Sequence, residues 1–196
     1  FSRYSNYGND APTHMYFYLL IIYFFKFNFD FKNRTAVVTG GAQGFGLDID
    51  WGDYPYVTSS SCTVAAVIQS GVPHSAIRDV WGVAKVYETY VGAKDFQGDD
   101  DIFEEIRKVG SEYGATTGRP RQVNWLNVST LIKAAAINGA TKIVLNKADI
   151  LDTIEAWFAK DDENLYEFKS SDDMEYWVSS LFPETHVIFS RSPSEI

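Results

Sequence analysis

Apolar residues along the chain fall into short blocks separated by glycine-rich or acid-rich turns. The first block is Met15 to Phe25, MYFYLLIIYFF, nearly unbroken and closed by Lys26. A membrane-spanning helix needs roughly 20 such residues, so the run is short for one. It also lacks the basic leader and small-residue cleavage site of a signal peptide. A buried strand, an interfacial segment and sequence foreign to the functional protein remain open. Thr35 to Val38 predicts a buried strand entering a glycine turn. Cys62 to Gln69, small and apolar behind a Ser-rich stretch, predicts a buried helix. Val80 to Tyr87 reads as a strand. Asp100 is placed to cap the helix DIFEEIRKV, which has an acidic first turn and stops at Gly110. Asn127 caps a helix through Asn138, with Gly139 at its C-terminal position. Thr141 to Asn146 and Thr185 to Ser190 read as strands, and Asp172 to Leu181 as a helix. Strands alternating with helices predict an α/β layer fold. No internal repeat and no linker is visible after residue 35, so residues 1–34 and 35–196 are the two expected segments.

Composition narrows the function. Hydrophobic residues make up 45% and charged residues 22% of the 196 positions, as in a globular protein with a sizeable core. Lys and Arg number 17 against 26 Asp and Glu, a net charge of -9. That balance argues against a nucleic-acid binder, which needs a basic face. It leaves room for a nucleotide site, where a few local cations and backbone N–H groups suffice. The single cysteine, Cys62, excludes an internal disulfide and points to a reducing, cytoplasmic compartment. His14, His74 and His186 are far apart in sequence and form no metal-ligand pair.

Three motifs carry candidate chemistry. The first is the glycine turn Gly40 to Gly46, whose backbone can approach a ligand closely. FKNRTAVVTGGAQGFG resembles the cofactor turn of short-chain dehydrogenases, which would imply an NAD(P) site. That family continues into a long helix, but Asp48, Asp50, Gly52, Asp53 and Pro55 disfavour one here. No Tyr-x-x-x-Lys pair follows. The second motif is Gly114 to Arg121, GATTGRPR. Two hydroxyls and two guanidiniums between glycines suit a carboxylate or phosphate, since Arg presents planar bidentate donors. The residues alone fit a solvated surface loop equally well. The third is Asn146-Lys147-Ala148-Asp149 at the end of an apolar strand. A carboxylate held there can accept from guanine N1–H and its exocyclic amine together, and the Lys stem can lie along the base. A plain helix cap at Asp149 to Asp152 is the alternative. The N-K-x-D pattern also fits a non-catalytic GTP-binding module, but no G-x-x-x-x-G-K-[ST] loop occurs in these 196 residues.

Together these stretches resemble adenylosuccinate synthetases. AQGFGLDIDWGDYPYVTSSSCT, EYGATTGRPRQVNWLN and the Lys147-x-Asp149 motif occur in that family's order, followed by HVIFSRSPSEI in the place of its terminal S-x-G-P element. The resemblance implies that Gln43 and Thr58 contact IMP. It implies that Val91, Thr117 and Arg119 contact L-aspartate, and that Arg121, Lys147, Asp149, Ser190 and Ser192 contact GTP. It further implies a partial P-loop-type three-layer α/β fold with a mostly parallel sheet, a homodimer, and no nucleic-acid or membrane partner. The implied activity is GTP-dependent ligation of IMP and aspartate with Mg²⁺. The family's phosphate loop, Asp base, His acid and Mg²⁺ ligands belong to an N-terminal half. No G-D-E-G-K-G-K stretch is present here, so the chain is expected to be a C-terminal part with little activity alone. Four positions depart from the family pattern: Gly40 for Glu, Tyr90 for Arg, Gln122 for Arg and Ser192 for Gly.

Overall fold

A computed structural model of the chain describes residues 23–30, 35–38, 44–114 and 117–192. Among the described residues nine strands form two sheets, with five α-helices packed against them. The first sheet contains β1 (Tyr23–Asp30), β2 (Thr35–Val38), β3 (Ile77–Lys85), β6 (Lys142–Asn146) and β9 (His186–Phe189), in the order β2-β1-β3-β6-β9. The second contains β4 (Tyr87–Tyr90), β5 (Gln122–Asn127), β7 (Trp157–Lys160) and β8 (Leu165–Phe168), in the order β4-β5-β7-β8. Pairing is parallel for β3–β6, β6–β9 and β5–β7. It is antiparallel for β1–β2, β1–β3, β4–β5 and β7–β8. The expected parallel sheet is therefore the β3-β6-β9 side of the first layer, and the β2-β1 side is antiparallel. Connection length separates the two kinds of pair, as β7–β8 in the second sheet shows. That connection is too short for a crossover and can only return the chain antiparallel. The three parallel pairs all follow helical crossovers.

Within β6, Ile143, Val144 and Leu145 are consecutively buried, as a strand with parallel neighbours on both sides and covered faces requires. In β3, burial alternates through Val80, Gly82 and Ala84, the period-2 pattern of a half-buried strand. The sequence reads Val80 to Tyr87 as one strand. The structure instead breaks it at Val86, which donates its N–H to Asn146 O (3.0 Å). Tyr87 then opens a strand in the other sheet. Val86 and Tyr87 are both fully buried, so the hydrophobic pattern runs through the bend and does not announce it.

The helices follow the sequence closely. In α1 (Val64–Gln69) the cap is Thr63, whose side chain accepts from Ala65 N, rather than a residue of Thr58 to Ser61. At α2 (Ile102–Val109), Asp100 Oδ1 accepts from Ile102 N (3.0 Å), although Asp101 occupies the cap position. Asn127 caps α3 (Val128–Asn138), accepting from Thr130 N (3.1 Å), and Gly139 ends it at φ 60°, a left-handed conformation in which glycine carries no Cβ penalty. α4 (Ala148–Ile154) and α5 (Ser171–Ser180) complete the set. Asn138 ties two helices together, accepting from Val64 N (2.8 Å) and donating to Ala134 O (2.8 Å). The core runs between the sheets and helices through Ile106, Leu126, Leu145 and Met174, beside a cluster of tilted rings formed by Phe103, Trp125 and Phe158. No helix among the described residues is long and apolar enough to cross a membrane.

Candidate functional site

The segment after the glycine turn is organised by one buried carboxylate. Asp48 is fully buried and accepts from Asp50 N (2.9 Å), Trp51 N (3.2 Å), Ser61 Oγ (3.2 Å) and Cys62 N. It thereby draws the start and end of residues 48–62 into one turn, using backbone donors that would otherwise be unsatisfied. Gly52 closes the turn. A Cβ there would lie 2.4 Å from Gly46 O and 2.7 Å from Asp48 O. Burial, reinforced by the Asp48 charge, pushes the Cys62 thiol up to about 11, so Cys62 is an inert core thiol. Thr58 is half-buried and donates its backbone N–H to Leu47 O (2.7 Å). Gln43 lies outside the described residues. Phe45–Leu47 forms a single 3-10 turn rather than a long helix, so the described part of the glycine turn lacks the helix of a dinucleotide fold.

A second buried carboxylate, Glu112, sits under the GATTGRPR loop. It is 1% exposed. Lys85 Nζ donates to both of its oxygens (2.8 and 2.7 Å), Tyr87 OH to Oε1 (2.8 Å) and Arg121 to Oε2 (2.8 Å). Lys85 also reaches Thr89 Oγ1 (3.0 Å). Burial opposes Glu112 ionisation, but Lys85, Tyr87 and Arg121 outweigh it, and its pKa lies below the usual carboxylate range. Burial disfavours the Lys85 ammonium, and Glu112 offsets this only in part. Arg121 and Lys147 add like-charge repulsion, so Lys85 is lowered to about 8. Tyr87 is raised, by burial first and then by the Glu112 charge.

The loop itself closes by backbone bonds from Arg121 N to Glu112 O (3.0 Å) and from Gly114 N to Arg119 O (2.8 Å). Gly118 takes φ 64° at its tip. Thr117 and Arg119 are exposed, and among the described residues the Arg119 guanidinium makes no ion pair. Arg121 is held from both sides, by Glu112 on its guanidinium and by Arg107 Nε on its carbonyl (2.6 Å).

At the end of β6, Lys147 adopts φ 67° and donates Nζ to Gly110 O (2.9 Å). Asp149 lies in the first turn of α4, where the helix N-terminus favours its negative charge. The neighbouring end of β9 joins here, with Ala148 N donating to Ser190 O (3.3 Å) and Ser190 Oγ to Ser192 O (3.0 Å). The structure thus brings Arg121, Lys147, Asp149, Ser190 and Ser192 to one end of the central parallel strands. Open parallel sheets place their ligands at the carboxyl ends of the strands.

A separate cleft of about 440 Å³ lies between the 44–56 segment and the second sheet, lined by Leu47, Tyr56, Thr89, Tyr90, Lys94, Asn124 and Lys160 among others. None of the described candidate residues lines it, although Val91 adjoins Tyr90 and Thr58 is bonded to Leu47. Tyr90 and Gln122, two of the positions that depart from the expected arginines, are paired across β4 and β5. The Gln122 amide uses both ends. It accepts from Phe96 N (2.9 Å) and Gln97 N (3.1 Å) and donates to Lys94 O (2.8 Å). An arginine has no acceptor and could not hold this segment so. Lys85, Tyr87 and Glu112 escaped the sequence reading. The available signal was a lysine inside the apolar strand VWGVAKVY and a glutamate directly before the loop.

A family model described as adenylosuccinate synthetase matches residues 25–158. The chain belongs to the adenylosuccinate synthetase family. The match includes the Asp48 turn, the Glu112 loop and the Lys147–Asp149 strand end, and it begins inside the segment that sequence inspection left unmatched. An adenylosuccinate synthetase of Xanthomonas campestris is 47% identical over 127 residues, covering 63% of this chain and 30% of that protein. One from Trichoplax adhaerens is 43% identical over the same length, covering 63% and 29%. The chain therefore spans about a third of the length of the curated relatives it matches. A solved structure of fully ligated adenylosuccinate synthetase from Plasmodium falciparum shares 36% identity at TM-score 0.60, covering 76% of this chain and 37% of its own. A cyanophage S-2L succinoaminodeoxyadenylate synthetase bound to dGMP and dATP superposes at TM-score 0.57 with 21% identity, covering 83% and 45%, and speaks for the fold alone. Adenylosuccinate synthetases are ligases of purine biosynthesis. Among the described residues no group of three or more His, Cys, Asp or Glu side chains is placed to hold a metal ion.

Proposed function

We propose that this chain supplies the nucleotide- and aspartate-binding face for GTP-dependent ligation of IMP and L-aspartate to adenylosuccinate. The observation that carries the reading is the convergence of two motifs distant in sequence. Arg121 is anchored on Glu112 and Lys147 on Gly110, so the anion-binding loop and the base-reading strand end share one short turn. Asp149 would accept from the guanine N1–H and amine, Lys147 would lie along the base, and Arg121 would face phosphate. Thr117 and Arg119, exposed at the loop tip, would take the aspartate carboxylates, and Thr58 with Gln43 would meet IMP. Val91, exposed beside the cleft, would flank aspartate. Ser190 and Ser192 would border the guanine. Proton abstraction and phosphoryl transfer need an acid, a base and a phosphate loop at hydrogen-bond reach. The motifs for these are absent from the 196 residues, so the chain by itself is expected to bind nucleotide without ligating.

The test is calorimetric titration of the purified chain with GTP, ATP and xanthosine triphosphate, together with a turnover assay containing IMP, aspartate, GTP and Mg²⁺. The expected result is preference for GTP, no adenylosuccinate, and a crossed preference toward xanthosine triphosphate in Asp149→Asn, because the amide replaces one acceptor by a donor. An unchanged ratio of GTP to xanthosine triphosphate affinity in Asp149→Asn would remove Asp149 from the base site. Turnover by the isolated chain would refute the division of labour.

A further inference from the structure

We propose that Glu112 is a positioning residue, and that the turn Gly110–Ser111–Glu112 couples the 112–121 loop to the 146–149 strand end so that the two order together. The inference rests on the reading that Arg121 and Lys147 face nucleotide, and it assigns them a shared support that neither motif contains.

Three features of the turn carry the argument. Its geometry is fixed. Ser111 takes φ 54°, and a Cβ on Gly110 would lie 2.6 Å from Tyr87 OH and 2.9 Å from Ile106 O. Tyr87 OH donates to Glu112, so one hydroxyl both packs on the Gly110 Cα and fills a Glu112 acceptor. Its two ends then point to different partners. The Glu112 carboxylate takes Arg121, and the Gly110 carbonyl, at the C-terminus of α2, takes the Lys147 ammonium (2.9 Å), where the helix end favours a cation. Finally, the partners share a field. Arg121 and Lys147 both bear on Lys85, which is bonded to the same carboxylate. Withdrawing Glu112 removes the carboxylate that Lys85 and Arg121 share and leaves their repulsion, together with that of Lys147 on Lys85, no longer offset there. A glutamine in its place keeps the length but offers one carbonyl oxygen where two carboxylate oxygens now serve Lys85, Tyr87 and Arg121.

Coupling of this kind is reciprocal, and hydrogen–deuterium exchange of the full chain without ligand reads it directly. Glu112→Gln should speed exchange in peptides covering both 113–121 and 146–150 by at least about fivefold, with α5 and β9 unchanged. Lys147→Met, which removes the bond to Gly110 from the far side, should speed exchange in 113–121 as well. If Lys147→Met loosens only its own strand end, the coupling is wrong, and that variant decides the matter if Glu112→Gln unfolds globally. A second arm adds GTP at saturation. In the unsubstituted chain both segments should be protected, and in Glu112→Gln protection at 146–150 should survive without protection at 113–121. Equal protection of both segments in Glu112→Gln overturns the positioning role. Absence of any GTP protection in the unsubstituted chain sinks the proposed function, while the ligand-free exchange still judges the coupling.

Discussion

Asp48 and Glu112 are both buried carboxylates beneath loops of the candidate site, and they are satisfied in opposite ways. Asp48 is served by backbone N–H groups and one hydroxyl, all within 14 positions of itself. Glu112 is served by side-chain donors from β3, β4 and the loop beside it, up to 27 positions away. The first arrangement holds a backbone turn with no bonded cation among the described residues. The second holds mobile, charged side chains in place and leaves an excess of positive charge around them. A local carboxylate therefore shapes a loop, and a long-range one arms it.

The largest test of that contrast is Glu112→Ala. It strands Lys85 and Arg121, whose side chains are 12% and 27% exposed. Removing one partner of a buried pair costs about 3–5 kcal/mol, to be read from urea unfolding. A loss under about 1 kcal/mol would show that the cations relax into water and that Glu112 is dispensable. Asp48→Ala is expected to be milder overall, because only the bond from Cys62 N is fully buried while the donors of Asp50, Trp51 and Ser61 are part-buried and open to water. Leaving that one donor unsatisfied costs about 1–3 kcal/mol. Its effect should concentrate on residues 48–62 and leave exchange in 113–121 unchanged. Spread of the damage into the 113–121 loop would contradict the separation of the two regions.

Gly52→Ala probes the same turn without touching the carboxylate. The clash with Gly46 O and Asp48 O is with backbone, so a loss of about 1–3 kcal/mol is expected, again local. An unperturbed thermal midpoint would mean that the turn opens freely.

The smallest effect over any one pH unit belongs to Lys85. Its folded pKa is lowered from 10.5 to about 8. Between those values the unfolded chain binds more protons than the folded one, so stability rises with pH from about 8. Tyr87 is raised in the fold, so above its ordinary value of about 10 it works in the opposite direction. The denaturation midpoint should climb between pH 8 and 10 and then flatten or turn, and Lys85→Met should abolish the climb. A midpoint that falls steadily from pH 8 in the unsubstituted chain would place Lys85 in water.

The difference between the carboxylates also explains what could be read without coordinates. The helix caps at Asn127 and Gly139, the buried strand Ile143 to Leu145 and the glycines of the loop are local signals, and the structure places them as read. Asp48 lies in such a local pattern, LDIDWGD. The break at Val86 was hidden because Val86 and Tyr87 are both buried and the apolar pattern continues across it. Of MYFYLLIIYFF, Met15 to Ile22 lies outside the described residues, and only Tyr23 to Phe25 open β1. The run could be read three ways because a strand's partner is not written in its own residues. The backbone of β1 pairs with β3 from Tyr23 to Phe29.

By itself the sequence determined the α/β class, most helix ends, the three motifs and their family, since each depends on residues close together or on a fixed order. Only the tertiary structure decided that Arg121 and Lys147 lean on one turn, that Tyr90 faces Gln122 across a strand pair, and that Glu112 gathers Lys85 and Tyr87 beneath the loop. Those contacts join residues 9 to 37 positions apart. Their energies come from burial and charge proximity, which linear spacing does not encode.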